Sequence, residues 1–150
     1  MKRPTHTRPL LVGESNPYGA DPRFALYPLP EGASGHRLRI ILGLGHREYL
    51  AAFDRANLTT GPWTLASARE AAARLLAERR TDAPLVLLGR RVALAFGAAD
   101  FPSFTTCGRL YLLPHPSGRC LAWSEPGAAQ QARDLLAPIL DALAREGSHG

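Results

Sequence analysis

The sequence predicts an α/β protein, a three-layer α/β/α sandwich around a mostly parallel sheet of about four strands. Three observations carry that expectation. Short, wholly apolar runs (Leu10-Leu11-Val12, Leu85-Val86-Leu87-Leu88, Leu110-Tyr111-Leu112-Leu113) lack the alternation of a one-sided sheet and read as strands buried on both faces. Stretches with helical spacing alternate with them, as in chains that cross over between parallel strands. A length of 150 residues suits one domain with a real core. That domain is expected over residues 9–146, between a flexible basic arm (1–8) and a flexible tail (147–150).

Taken in order, Arg8–Gly13 is the first buried strand. Glu14 to Gly35 is rich in proline, glycine and aromatics, and an irregular stretch of that length inside a compact domain is commonly functional. His36–Leu44 has Leu38, Ile41 and Leu42 at helical spacing, with Gly43 or Gly45 as the stop. A second short helix covers Arg47–Phe53, and Phe53–Leu58 reads as a short second strand ending near Asn57. Leu65–Arg80 is a helix whose Ser67 and Glu70 match a capping box, with an apolar stripe from Ala68 to Leu76. Asp82-Ala83-Pro84 turns the chain into the strand Leu85–Gly89, and a helix follows over Arg90–Phe96. Phe101–Gly108 reads as an irregular connection to the strand Arg109–Leu113. The last helix is capped by Ser124, with Pro126 in its first turn and a long apolar face from Ala132 to Leu143. Pro138 is expected to kink or break it.

No apolar run approaches the roughly 20 residues that span a bilayer, and Leu10-Leu11-Val12 is too short for a signal-peptide core. No membrane association is expected, and a cytoplasmic location is the default. Cys107 and Cys120 are too few for a four-cysteine cluster, and the five histidines lack metal-ligand spacing, so neither metal nor other cofactor is expected. The formal charge of +5 comes almost wholly from arginine, whose planar donors suit phosphate. It permits a nucleic-acid partner and equally fits an ordinary soluble surface.

Two strand ends stand out. The apolar run ending at Leu113 gives way to Pro114-His115-Pro116-Ser117-Gly118-Arg119. Pro114 cannot donate to a ladder, Pro116 biases His115 toward extended backbone, and Gly118 permits a sharp reversal. An imidazole is thus held at a strand's carboxyl end, where ligands of α/β sheets bind. The first strand breaks in the same manner into Glu14-Ser15-Asn16-Pro17-Tyr18-Gly19, and two such ends suggest one shared cleft. The plainer reading of each is a polar turn, with Asn16 initiating it, Asn57 ending a strand and Tyr27 anchoring a loop.

Gly13-Glu14-Ser15-Asn16-Pro17-Tyr18-Gly19, Asn57 and His115-Pro116-Ser117-Gly118-Arg119 together resemble the motifs of the uracil-DNA glycosylase superfamily. That superfamily has a Gly-x-Asp/Asn-Pro or Gly-Glu-x-Pro-Gly turn after strand one, an Asn ending strand two and a His-Pro-Ser turn after the last strand. Leu85–Gly89 resembles its strand-Leu-Gly-helix segment, and Gly32-Ala33-Ser34-Gly35-His36-Arg37-Leu38 a Gly-x-Ala-Gly-x-Leu stretch of its iron–sulfur branch. The similarity runs from about Leu10 to Trp123. The first turn is one residue longer than Gly-x-Asn-Pro, the four cluster cysteines are absent, and the chain is shorter than typical members.

The resemblance implies a compact, divergent, monofunctional DNA glycosylase that flips out and hydrolyses off uracil or another altered pyrimidine, leaving an abasic site for base-excision repair. Its partner would be single- or double-stranded DNA, and a monomer is expected. His115 would stabilise negative charge on the departing base, and Asn16 or Glu14 would handle the water. Asn57 would read the base's edge, Tyr27 or Phe24 would stack on it, and Tyr18 and Ser15 would complete the binding set. Ser117, Gly118 and Arg119 would grip the DNA, helped by Arg23, Arg37 or Arg90. The only lysine, Lys2, lies in the arm, so Schiff-base lyase chemistry is not expected. Two alternatives are a glycosylase for a bulky modified base, such as modified cytosine in phage DNA, and a catalytically weak DNA- or nucleotide-binding module.

Overall fold

Residues 8–15 and 21–147 are described by the structure, a computed structural model. The expectations for most of the arm, for 148–150, and for Asn16 and Tyr18 lie outside the described residues. Five strands form one sheet: β1 (Leu10–Ser15), β2 (Asp54–Thr59), β3 (Leu85–Leu88), β4 (Thr105–Cys107) and β5 (Leu110–Leu113). Their order is β2-β1-β3-β5-β4, with every neighbouring pair parallel except β4 against β5. Val12 stands opposite Ala56 on one side and Leu87 on the other, and Leu88 stands opposite Leu113.

Helices cover both faces. Leu10, Val12, Leu85, Leu87 and Leu112 pack beneath α3 (Leu65–Glu78) and α4 (Arg90–Ala95). Leu11, Val86, Leu88 and Leu113 point the other way, toward α1 (Ser34–Leu42), α2 (His46–Ala52) and α5 (Ala128–Gly147). All four β3 side chains are fully buried, contributing about 1.5–3 kcal/mol each as an upper bound. This is why the central strands read as uninterrupted apolar runs.

The helix ends follow local chemistry. At the end of α1, Gly43 takes φ 70° and its N–H bonds Ile40 O, while Leu44 N–H reaches back to Arg39 O, so Gly43 is the stop. Helix α3 is capped by Thr64, whose Oγ1 accepts from Ser67 N–H at 3.2 Å. The expected cap at Ser67 is therefore corrected by three residues, because Thr64 still has extended backbone and Leu65 is already helical. Ser124 belongs to a separate 3-10 turn (Leu121–Ser124), so it does not cap α5, which starts after Gly127. Nor does Pro138 break α5: the residue is exposed, while Leu136 and Ile139 stay buried beside it and hold the helix down.

Thr105–Cys107, read as part of an irregular connection, is instead the antiparallel edge strand β4. A two-residue hairpin, Gly108-Arg109, joins it to β5, with Gly108 at φ 59°.

Candidate active site

Between β1 and β3 the strand order reverses direction, and in open α/β sheets the crevice beyond the carboxyl ends at such a point receives ligands. A cavity of about 210 Å³ lies there. Gly13, Glu14 and Ser15 from the end of β1, Asn57 from β2 and Leu88 from β3 line one part. His115 and Pro116, just past β5, line another, and the remainder is the loop before α1 with Phe24, Leu26 and Tyr27. Six sequence-selected residues thus share one hollow: Glu14, Ser15, Phe24, Tyr27, Asn57 and His115.

His115 is fixed from several sides. Pairing of β5 stops at Leu113, and Pro114 and Pro116 are both buried. Ser117 N–H donates to His115 Nδ1 at 3.2 Å. A backbone N–H can only donate, so Nδ1 carries the lone pair and the neutral ring bears its proton on Nε2. Trp123 Nε1 donates to His115 O at 2.8 Å, and Arg37 Nε donates to Pro116 O at 3.1 Å. Gly89 sits against the imidazole; a Cβ there would lie 3.2 Å from His115 Cβ and 3.5 Å from Cδ2. With φ at 106°, that backbone also disfavours any side chain.

Asn57 crosses over Gly13 so closely that a Cβ on the glycine would fall 2.4 Å from Asn57 Oδ1. No side chain or backbone group among the described residues hydrogen-bonds the Asn57 amide, which leaves an acceptor and two donors for a ligand. Thr59 Oγ1 donates to Glu14 O at 3.2 Å and ties the ends of β1 and β2 together. The Glu14 carboxylate is 4.0 Å from Arg91 Nη1, and the Arg91 guanidinium lies 5.9 Å over the Trp63 ring. Arg91 is largely exposed, so this pair is worth at most about 1 kcal/mol.

The loop wall is anchored by buried groups. Tyr49, fully buried, donates its hydroxyl to Leu26 O at 2.7 Å, and burial pushes its phenol well above the ordinary range. Arg55 Nη1 donates to Arg23 O and Ala25 O, and its guanidinium lies 5.5 Å over the Tyr27 ring. A Cβ on Gly35 would meet the Leu26 and Tyr27 carbonyl oxygens at 2.2 and 2.3 Å, so only glycine lets α1 approach the loop this closely. Phe24 and Tyr27 meet edge to face at 5.7 Å and 83°, so only one of them can lie flat against a given ring in the cavity.

The remaining selected residues lie outside the cavity lining. Ser117 Oγ accepts from Arg119 N–H, which makes the hydroxyl a turn-former. Gly118, expected to permit a sharp reversal, does not take a positive φ; it leaves room beside the Arg37 guanidinium, 3.4 Å from where a Cβ would sit. Arg119 is exposed. Arg23 pairs with Asp21 at 2.7 Å, and the Arg23 cation holds that carboxyl below its usual range. Arg37 is committed to Pro116 O, and Arg90 binds the Phe101 and Ala99 carbonyls. Among the described residues no cluster could hold a metal ion, and no helix is long and apolar enough to cross a membrane.

Three contributors were not singled out from the sequence: Trp123, Tyr49 and Arg91. Each acts through a partner distant in the chain or on another element, and local patterning carries no signal for that. No protein-family model matches this chain, and neither a curated protein nor a solved structure matches it.

Proposed function

We propose that the chain is a monofunctional DNA glycosylase that hydrolyses the N-glycosidic bond of uracil or another altered pyrimidine. The observation that carries this reading is the convergence of the Asn57 amide, unpartnered among the described residues, and the Nε2-protonated His115 on one hollow of about 210 Å³. An apolar cavity of roughly 150 Å³ holds a benzene ring, so this space suits one extruded six-membered base.

In the reaction, water adds its oxygen to the sugar C1′ as the bond from C1′ to the base nitrogen breaks. The electron pair leaves with the base and spreads onto its carbonyl oxygen, where the His115 Nε2–H stabilises it. A neutral imidazole suffices, because a donor need not be charged. Among the described residues that line the cavity, Glu14 is the carboxylate able to take the proton released by the water, which then returns to the departing base. Asn57 supplies both acceptor and donor to the base's edge, and Tyr27 or Phe24 its stacking face. Arg119, exposed beside the histidine turn, is the cation best placed for phosphate.

A second reading has its own observation. Beyond Phe24 and Tyr27 the cavity adjoins an apolar recess walled by Leu29, Pro30 and Glu31, with Phe24 44% and Leu29 51% exposed. That recess favours a base carrying a bulky substituent. Labelled oligonucleotides holding uracil or a panel of modified pyrimidines, incubated with the chain and then treated with alkali, test both. Scission at uracil supports the first reading, scission only at modified bases the second, and none on any substrate overturns the enzyme.

A further inference from the structure

We propose that Trp123 and Arg37 are positioning residues that lock His115 in its Nε2-protonated form, so that the cavity always meets its ligand with a donor. The proposal rests on the glycosylase reading for its purpose, although the lock itself stands on geometry alone. Two consecutive carbonyls, of His115 and Pro116, are each held by a side chain from a different element. Arg37 comes from α1, and Trp123 from the 3-10 turn that precedes α5.

A carbonyl held in place fixes the plane of its peptide unit. Holding the His115 and Pro116 carbonyls sets both peptides that flank Pro116, and the second of these carries the Ser117 N–H. That N–H is the group donating to His115 Nδ1 at 3.2 Å. Any rotation of the peptide would turn the donor away from the ring, and Nδ1 would then be free to hold the proton. Each anchor is itself braced. Trp123 meets Phe104 edge to face at 5.6 Å, and the Arg37 guanidinium lies beside Gly118, where a Cβ would be only 3.4 Å away. Gly89 backs the imidazole and limits its rotation.

If Trp123 and Arg37 were merely staples for the turn, their loss would lower stability and leave the imidazole proton where it is. A lock predicts a change in the proton's site. The discriminating measurement is a long-range proton–nitrogen correlation spectrum of the full chain with 15N-labelled histidine, the His115 signals being assigned by their loss in His115→Gln. The wild type is expected to show a lone-pair Nδ1 and a protonated Nε2. Trp123→Phe keeps a ring against Phe104 and deletes only the donor, and Arg37→Met keeps the aliphatic stem. Each is expected to give a mixture of tautomers, whereas Arg37→Lys, which retains a donor, stays closer to the wild type.

On a substrate that the wild type cleaves, kcat is expected to fall between tenfold and about 100-fold in the first two variants, with KM little changed. A single unshifted tautomer in both folded variants overturns the lock, whatever the activity. Shifted tautomers in a chain that releases no base support the lock and overturn the glycosylase reading instead. If Arg37→Met fails to fold, Trp123→Phe alone decides.

Discussion

Replacing Gly13 with alanine tests the heart of the site with one methyl group. The new Cβ would sit 2.4 Å from Asn57 Oδ1 and 3.3 Å from Leu26 Cδ2. Real Cβ atoms essentially never come within 3.0 Å of a neighbour, so the amide must retreat by at least 0.6 Å (3.0 minus 2.4). Overpacking of this kind costs about 1–3 kcal/mol, and the far end of an Asn side chain gives way more readily than backbone, which points to the lower half of that range. For a chain of 150 residues the corresponding loss is roughly 3–8 °C in Tm. The functional loss should be larger, because displacement of a recognition group by about 1 Å can cost roughly 100-fold in rate. Base release and thermal melting, measured on Gly13→Ala, Asn57→Ala and the double variant, separate the two effects. With Asn57 shortened the methyl has its space, so the double variant should melt above Gly13→Ala and be no less active than Asn57→Ala. Wild-type activity in Gly13→Ala would refute the placement of Asn57 at the substrate.

Three other outcomes follow from the geometry. Gly35→Ala should be worse tolerated than Gly13→Ala, at about 3 kcal/mol, since its Cβ meets two backbone carbonyls that cannot move aside; equal melting temperatures for the two variants would contradict this. The buried Tyr49 phenol is raised above its ordinary value, so its contribution is whole below about pH 10 and is lost as pH climbs from there toward the folded-state pKa. Tyr49→Phe should therefore cost about 1–3 kcal/mol at neutral pH, through the unpaired Leu26 carbonyl, and flatten the alkaline fall in Tm; a wild type whose Tm holds steady above pH 10 would count against it. Arg119→Ala should weaken DNA binding and reduce the slope of log K against log salt by roughly 0.7–0.9, whereas Arg90→Ala, whose guanidinium is held by the Ala99 and Phe101 carbonyls, should leave that slope unchanged.

Much of this architecture could be read before any coordinates. Strands buried on both faces announce themselves as apolar runs, and parallel connection brings all their carboxyl ends to one pole. Asn57 and His115, each placed near a strand's end, therefore had to lie on the same side of the molecule. Strand β4 escaped notice because three residues, Thr105–Cys107, are too few for a periodic signal; only the glycine in its two-residue hairpin marked it. The helix cap at Thr64 was hidden by Ser67 and Glu70, whose spacing imitates a capping box one turn too late. Arg37 looked like a cation for DNA because a side chain's partner across 79 residues leaves no trace in its neighbourhood. The extent to which Gly13 and Asn57 interlock was equally out of reach, since it depends on the register of two strands that meet only in the folded chain.

Pro9 O accepts from Asp54 N–H and Leu10 N–H donates to Pro84 O at the amino ends of β2 and β3, so residue 8 enters the fold on the side of the sheet remote from the hollow. A bead or dye attached at residue 8 would leave the mouth of the hollow facing outward, and copies tethered there should capture ligand as well as free ones do.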